Sequence, residues 1–402
     1  MTHNTFLLST IFFCGSAPVA ILGPFAGTLA DAFDKKLILN IAQILFALGA
    51  LTLSVLCILR IEQFWELAAV ALLFGIVGAF EGPTRQSVVS RVVPPEDLAQ
   101  AVPLNAMTFN MARLVGPAFA VVVLGIFDHL WDFNIGAGVC YALNGISYIA
   151  LIFAVLAIRS DLKPAQSAPQ PVGDLMVEGM LYTWRDARFR TLFLMEVISS
   201  ACGMFYIAVM PTFTTDIMHM DERGLGVAYT LVGAGAIAGL LMMITLADRP
   251  IKSQMVRFGM VAMGVGILLL GFVRSPYLVF PLLVVIGASV MVQFNTTNTL
   301  FQLLSPDRLR GRVLAMHQWA VGGLGSFGTL FFGWLAETTK RPHALAFLQM
   351  HMRTPVGGLP MTLNIGGACI LLGAAWGSWR IRSFNPNLWE SSNLKSETVT
   401  LT

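Results

Sequence analysis

Apolar and polar residues fall in long blocks along this chain rather than alternating one by one. Mostly apolar runs lie near 6–30, 37–59, 65–86, 103–127, 135–158, 190–213, 224–247, 254–273, 277–298, 312–336 and 359–380. Each is near the ~20 residues that a helix needs to cross the hydrocarbon core of a bilayer. Within lipid only helices and closed barrels satisfy their own backbone, and these runs are too long and uniformly apolar for barrel strands. The pattern therefore predicts an all-α integral membrane protein with eleven spans.

Composition agrees with a lipid solvent. Hydrophobic residues make up 56% and charged residues 12%, where soluble domains carry about 25% charge. The net charge is +3 and there is no basic tract, so no nucleic acid partner is expected. Eighteen of the 25 lysines and arginines fall on one side of the predicted spans, six on the other, and Arg113 lies within a span. The basic side is the expected cytoplasmic side. That places the C-terminus in the cytoplasm and, with eleven spans, Met1 outside. Cys14, Cys57, Cys140, Cys202 and Cys369 all sit in apolar runs and read as small core residues. No cleavable signal peptide is evident.

The chain divides into a first bundle of five spans (1–158), a linker (159–189), a second bundle of six spans (190–383) and a polar cytoplasmic tail (384–402). In the linker, 172–190 reads either as a surface helix or as an ordinary connector. In the helical reading Met176, Met180 and Trp184 stand opposite Glu178, Asp186 and Arg188. The halves repeat. VVPPEDLAQA (92–101) matches LLSPDRLRGR (303–312), with Pro95, Glu96 and Leu98 each 211 residues before Pro306, Asp307 and Leu309. Ala30-Asp31 matches Ala247-Asp248 at an offset of 217. Parallel repeats of this kind build two-bundle carriers. Stepping back 211 residues from 190–213 gives −21 to 2, so a six-plus-six pattern is expected to lack its first helix here.

GTLADAFDKK (27–36), with Gly27, Leu29, Ala30, Asp31, Asp34, Lys35 and Lys36, resembles the loop between the second and third helices of the major facilitator superfamily. Ala32 and Asp34 stand where many members have Arg and Gly. Segments 79–118, 178–190 and 303–316, including Arg310 and Gly311, resemble the branch that contains enterobactin exporters and drug-efflux carriers. The resemblance covers essentially the whole chain. It implies two bundles, alternating access, a bacterial inner membrane and a loop around Asp31 that locks the halves together while the cavity faces outward.

The residues themselves supply candidates for mechanism. Asp31 closes the first span and is expected at the start of the next helix, as a gate element or as a solvated turn residue. Glu81 and Arg85 are four apart on one helix face. Such charges within a span point into the bundle and pair, either as a neutral structural pair or as a proton-sensitive latch. Arg113 shares a face with Asn110 and Pro117, beside Gly116. It needs Glu81 or backbone carbonyls as a partner, for gating or for an anionic substrate. Glu196 leads a stripe of Ser199, Ser200 and Gly203 expected to line a central cavity. It is a candidate for a proton or cationic-substrate site, against an interfacial place near the headgroups. Asn295, Asn298 and Gln302 form a second stripe. Gln293, His317, Gln318 and Trp319 are weaker cavity candidates, and a lone His such as His317 reads first as a packed residue. His343 and His351 lie in one loop but lack ligand spacing, and no Walker A motif is present.

The function expected is secondary active transport, with proton-coupled export of an amphipathic, drug- or siderophore-like molecule by a monomer without cofactor, metal or enzymatic activity. An uptake carrier of the same fold and a non-transporting protein lacking its first helix are the rival readings.

Overall fold

A computed structural model describes residues 4–93, 111–112, 115–116, 119–120, 122–124, 126–127, 132–159, 162, 172–220, 222–246, 249, 251–305, 309–339 and 358–382. Among them there are helices and no strands. The first half holds α1 (Thr5–Ala32), α2 (Lys35–Leu59), α3 (Phe64–Val92) and α4 (Phe133–Ala157), with helical pieces between 111 and 127. A short helix α5 (Val172–Arg185) leads into the second half. There α6 (Ala187–Gly203) and α7 (Phe205–Thr212) run on into a π-helical turn (Phe213–Ile217). Then come α8 (Glu222–Thr245), α9 (Lys252–Phe272) and α10 (Pro276–Leu304). Helix α11 (Arg310–Gln318), a second π-helical turn (Trp319–Leu324) and α12 (Gly325–Thr339) form one bent rod, and α13 (Leu359–Arg382) closes the bundle. Ten stretches among the described residues are long and apolar enough to span a membrane. The eleventh expected span, 103–127, falls largely outside the described residues.

The repeat read from sequence recurs in the packing. Helix α1 packs on α3, and α8 on α10; α2 packs on α3 and α4, and α9 on α10 and α13. The signature segments themselves, 94–100, 306–308 and Ala247-Asp248, lie outside the described residues. The halves differ in filling. Helices α6 and α7 pack on α9, α12 and α13, and one apolar cluster runs from Phe189 to Ile381. Among the described residues of the first half, no helix stands in the equivalent place. The buried cluster there comprises Leu39, Val88 and Leu162. Only 6% of the α4 span is buried, against 50% of its counterpart α13.

Local chemistry sets the helix ends. Asn4 accepts from the backbone of Phe6 and Leu7 at 2.9 and 3.2 Å and starts α1. Asp34 accepts from Lys36 N at 2.8 Å and starts α2, and Asp132 does the same for α4 through Asn134 N at 2.8 Å. These two helices are antiparallel and stapled at both ends. Arg60, in the left-handed conformation at the end of α2 (φ 58°), pairs with Asp132. At the other end Lys36 Nζ donates to the Ile158 carbonyl, where the negative end of α4 favours a cation. Asp186 caps α6 through Arg188 N at 2.8 Å. That cap corrects the sequence reading of one surface helix through Arg190. The helix stops at Arg185 because Asp186 serves the next one. Along α5, Val177, Met180, Leu181 and Trp184 are exposed, while Gly179 and Thr183 are buried toward α11 and Glu178 pairs with Arg312.

Close helix contact is concentrated at small residues, as expected where lipid offers no hydrophobic drive. A side chain at Gly235 would collide with the Val284 carbonyl, at Gly239 with Ala288, and at Gly287 with Val232. This reciprocal set brings α8 and α10 into backbone contact. Gly287→Val is expected to lower the apparent melting temperature by several degrees, since overpacking costs roughly 1–3 kcal/mol. Gly78→Ala, where a Cβ meets nothing within 4 Å, should not lower it. Thermal unfolding followed in detergent checks both; equal stability of the Gly287 variant would contradict the contact.

Candidate functional site

The stripe on α6 faces inward. Glu196, Ser199 and Ser200 are each 0% exposed, sealed by α10, α11 and the π-helical turn after α11. His317 Nδ1 stands 2.8 Å from Glu196 Oε1. The ring N–H is not aligned along that line, so both carboxylate oxygens and the nitrogen lack a well-directed hydrogen bond. One turn further on, Gln293 Nε2 donates to Ser199 Oγ at 2.5 Å, and Ser200 Oγ donates to the Ala320 carbonyl at 2.8 Å. The Gln293 amide oxygen and Thr296 Oγ are buried without a hydrogen-bond partner. Among the described residues, His317 is the ionisable side chain in contact with Glu196. Burying one charge in a bilayer is costly, whereas an ion pair or two neutral groups cost less. The pair therefore has two tolerable forms that differ in how the proton is held.

Two expectations change here. The Glu196 stripe is enclosed by neighbouring helices rather than open to a cavity. His317, read first as a packed residue, is the partner of Glu196 despite lying 121 residues away in the chain. Only proximity in the fold could pair them, since neither has a charged neighbour at helical spacing.

The other candidates are placed as follows. Arg85 Nε donates to Glu81 Oε1 at 2.9 Å, with Glu81 the better buried. The pair borders a cleft of about 380 Å³ between α2, α3 and α4, with Gln43 and Tyr148 on its wall. Gln302 Nε2 donates to Asn298 Oδ1 at 2.5 Å, and Asn295 Nδ2 to the Met291 carbonyl at 3.0 Å; Asn295 and Gln302 are exposed and Asn298 half-buried on α10. Asp31 and Gly27 lie in the last turns of α1. Asp34, not Asp31, starts the next helix, and Lys35 is buried with its backbone N–H donating to the Leu162 carbonyl at 3.3 Å. Gly116 is helical and exposed, and Arg310 and Gly311 open α11. Arg113, Asn110, Pro117, His343 and His351 lie outside the described residues.

Sequence reading missed the seam between the halves. Among the described residues the first half meets the second mainly through α1, which packs on α12 and the adjoining π-helical turn. Glu337 Oε2 accepts from Thr5 N at 3.0 Å, at the positive end of α1. Ser9 lies against Gly333, Phe13 stacks edge-on to Phe327 at 5.4 Å, and Trp319 Nε1 donates to the Ala20 carbonyl at 2.8 Å.

Two like-packed helical halves joined along a seam, with buried polar groups on facing helices, define a membrane carrier. Residues 5–356 match the family described as transmembrane secretion effector, and the chain belongs to that family of the major facilitator superfamily. It is 26% identical over 327 residues to the staphyloferrin A transporter of Staphylococcus aureus (strain NCTC 8325 / PS 47), covering 78% of this chain and 77% of that one. It is 24% identical over 350 residues to the multidrug efflux pump Tap of Mycolicibacterium fortuitum, covering 84% and 83%. To macrolide efflux protein A of Streptococcus pyogenes it is 21% identical, covering 78% and 77%. Among solved structures, a D-xylose–proton symporter superposes with a TM-score of 0.73 at 14% identity, over 94% of this chain and 88% of the other. A bacterial homologue of the lysosomal transporter Spinster, inward-facing and unoccupied, gives 0.68 at 16%, over 97% and 92%. These structural likenesses establish the fold. Family and fold are those of multi-pass membrane transporters of small molecules.

Removing one member of the buried pair leaves the other uncompensated. His317→Ala is expected to destabilise by about 3–5 kcal/mol, and adding Glu196→Gln should recover most of that loss. A double-mutant cycle of unfolding free energies checks it, and additive losses would show that the two groups do not interact.

Proposed function

We propose that the chain is a secondary active exporter. It moves an amphipathic, drug- or siderophore-like molecule out of the cell by alternating access, with protons entering in exchange. The observation that carries this reading is the fully buried Glu196–His317 pair, enclosed between helices of the second half and two residues from the seam with the first. The relatives, one siderophore transporter and two kinds of efflux pump, support the cargo class.

Protonation drives the cycle only if it favours one conformation over the other. A proton taken up by Glu196 removes the charge that holds His317, and the α6–α11 contact then no longer favours the closed arrangement. A membrane potential adds about 2.3 kcal/mol per charge per 100 mV to this exchange. Glu81 with Arg85 is the corresponding charge pair of the first half, and Asn295, Asn298 and Gln302 offer polar groups to the cargo. Gly27 and Asp31, in the last turns of α1, and Asp34 and Lys35, at the start of α2, form the turn at the cytoplasmic face. In this reading the protein is a monomer in the plasma membrane with its C-terminus in the cytoplasm.

Inverted membrane vesicles with an acid lumen test the proposal. A macrolide or staphyloferrin A added outside should enter the lumen and release protons, read by a pH-sensitive dye. An uncoupler should abolish uptake, and Glu196→Gln should reduce it at least tenfold, corresponding to about 1.4 kcal/mol in the transport barrier. Uptake that survives both the uncoupler and the combined Glu196→Gln, Glu81→Gln variant would refute proton coupling.

A further inference from the structure

In an α-helix the N–H of residue i donates to the carbonyl of residue i−4. Pro24 has no N–H, so the Ala20 carbonyl of α1 loses its own helical donor. In hydrocarbon such a group must be satisfied from elsewhere. Here the donor comes from the other half of the protein: Trp319 Nε1 stands 2.8 Å from that oxygen. Gly323, one turn on, has its backbone against Ala20, and a side chain there would press on the Ala20 Cα and Cβ.

Trp319 is also tied to the buried pair. It opens the π-helical turn two residues after His317, which faces Glu196 at 2.8 Å. Its ring stacks on Phe193 of α6, with centroids 6.5 Å apart and planes 23° apart, one turn before Glu196. The next residue, Ala320, has its carbonyl held by Ser200 Oγ at 2.8 Å. One short, irregular stretch of α11–α12 thus touches the titratable pair on one side and the inter-half seam on the other.

We propose that Trp319 is the latch of the seam, a positioning residue whose indole N–H stabilises the closed arrangement of α1 against α12 and transmits the state of the Glu196–His317 pair to it. The bond discriminates between states. When the halves are together, the indole is the donor to the Ala20 carbonyl among the described residues. When they part, water in the opened cleft takes its place, so the bond adds stability to the closed form alone. Movement of α11 with the Glu196–His317 contact shifts the indole and with it the seam. This rests on the alternating-access reading above.

Two substitutions separate the latch from mere packing. Trp319→Phe keeps a ring on Phe193 and deletes the N–H. Pro24→Ala returns an N–H to the Ala20 carbonyl from within α1, so that Trp319 is no longer its sole donor. The readout is the distance between spin labels at Trp65→Cys and Tyr277→Cys, exposed residues of the two halves at the same end as the Thr5–Glu337 contact, in a variant without the five native cysteines. In lipid nanodiscs at neutral pH, Trp319→Phe should raise the ratio of long to short distances roughly three- to tenfold, the effect of one hydrogen bond. In the Pro24→Ala background the same substitution should change the ratio less than about twofold. No change with Trp319→Phe, or an equal change in both backgrounds, overturns the latch. If the parent distances ignore pH and cargo while the Trp319–Pro24 dependence persists, the seam bond stands, and both its link to the Glu196–His317 pair and the proton-coupled reading fail.

Discussion

The requirement that governs this molecule is the satisfaction of backbone polar groups where no water is available. Each proline inside a membrane helix frees a carbonyl one turn earlier, and the fold has to supply a donor for it. The second half contains a self-contained instance. Pro211 withholds its N–H from the Ile207 carbonyl, and Tyr229 of α8 donates its hydroxyl there at 2.9 Å, just before the chain widens into a π-helical turn. The Pro24–Ala20–Trp319 arrangement is the same device stretched across the two halves. One repair lies inside a packed bundle and holds it rigid. The other crosses the surface along which a carrier has to open.

That contrast sits on unequal packing. Helices α6 and α7 fill the second half, and the polar stripe of α6 is buried with them, so Ser199 meets Gln293 of α10 and Glu196 meets His317 of α11. The first half presents its charge pair, Glu81 with Arg85, to a cleft instead. The same type of chemistry is therefore dry on one side and accessible on the other. Glu196 and His317 are enclosed in this arrangement, whereas Glu81 and Arg85 border the cleft.

Much of the fold was legible because lipid enforces long apolar runs: ten of the spans and the all-helical membrane class follow from hydropathy. Within the site, Glu196 and Gln293 could be singled out because polar residues inside spans are costly. Their partners could not. His317 meets Glu196 only after α6 and α11 pack, and Thr5 meets Glu337 across 332 residues. The boundaries were hidden for a local reason. Asp31 and Asp34 are both short acids near a helix end, and only backbone geometry decides that Asp34 is the cap. Likewise Asp186 looks like part of a polar helix face until its carboxylate is seen to hold the next N-terminus. The π-helical turns follow from packing that no periodicity announces.

These strands meet at α11 and α12. A regular helix transmits a displacement along its axis but cannot easily change its register, whereas a π-helical turn holds one residue in excess and can shift it at small cost. The turn at Trp319–Leu324 lies where His317, Ser200 and Ala20 all contact the same few residues. Gly323 within it lies against the Ala20 backbone, and Gly325 just after it lies against Ser200. Glu196 thus lies beside this irregular segment, and the segment carries the indole donor to the Ala20 carbonyl. In the proposed mechanism the buried pair supplies the bias, the irregular turn the freedom, and the carbonyl orphaned by Pro24 a preference for one arrangement of the halves.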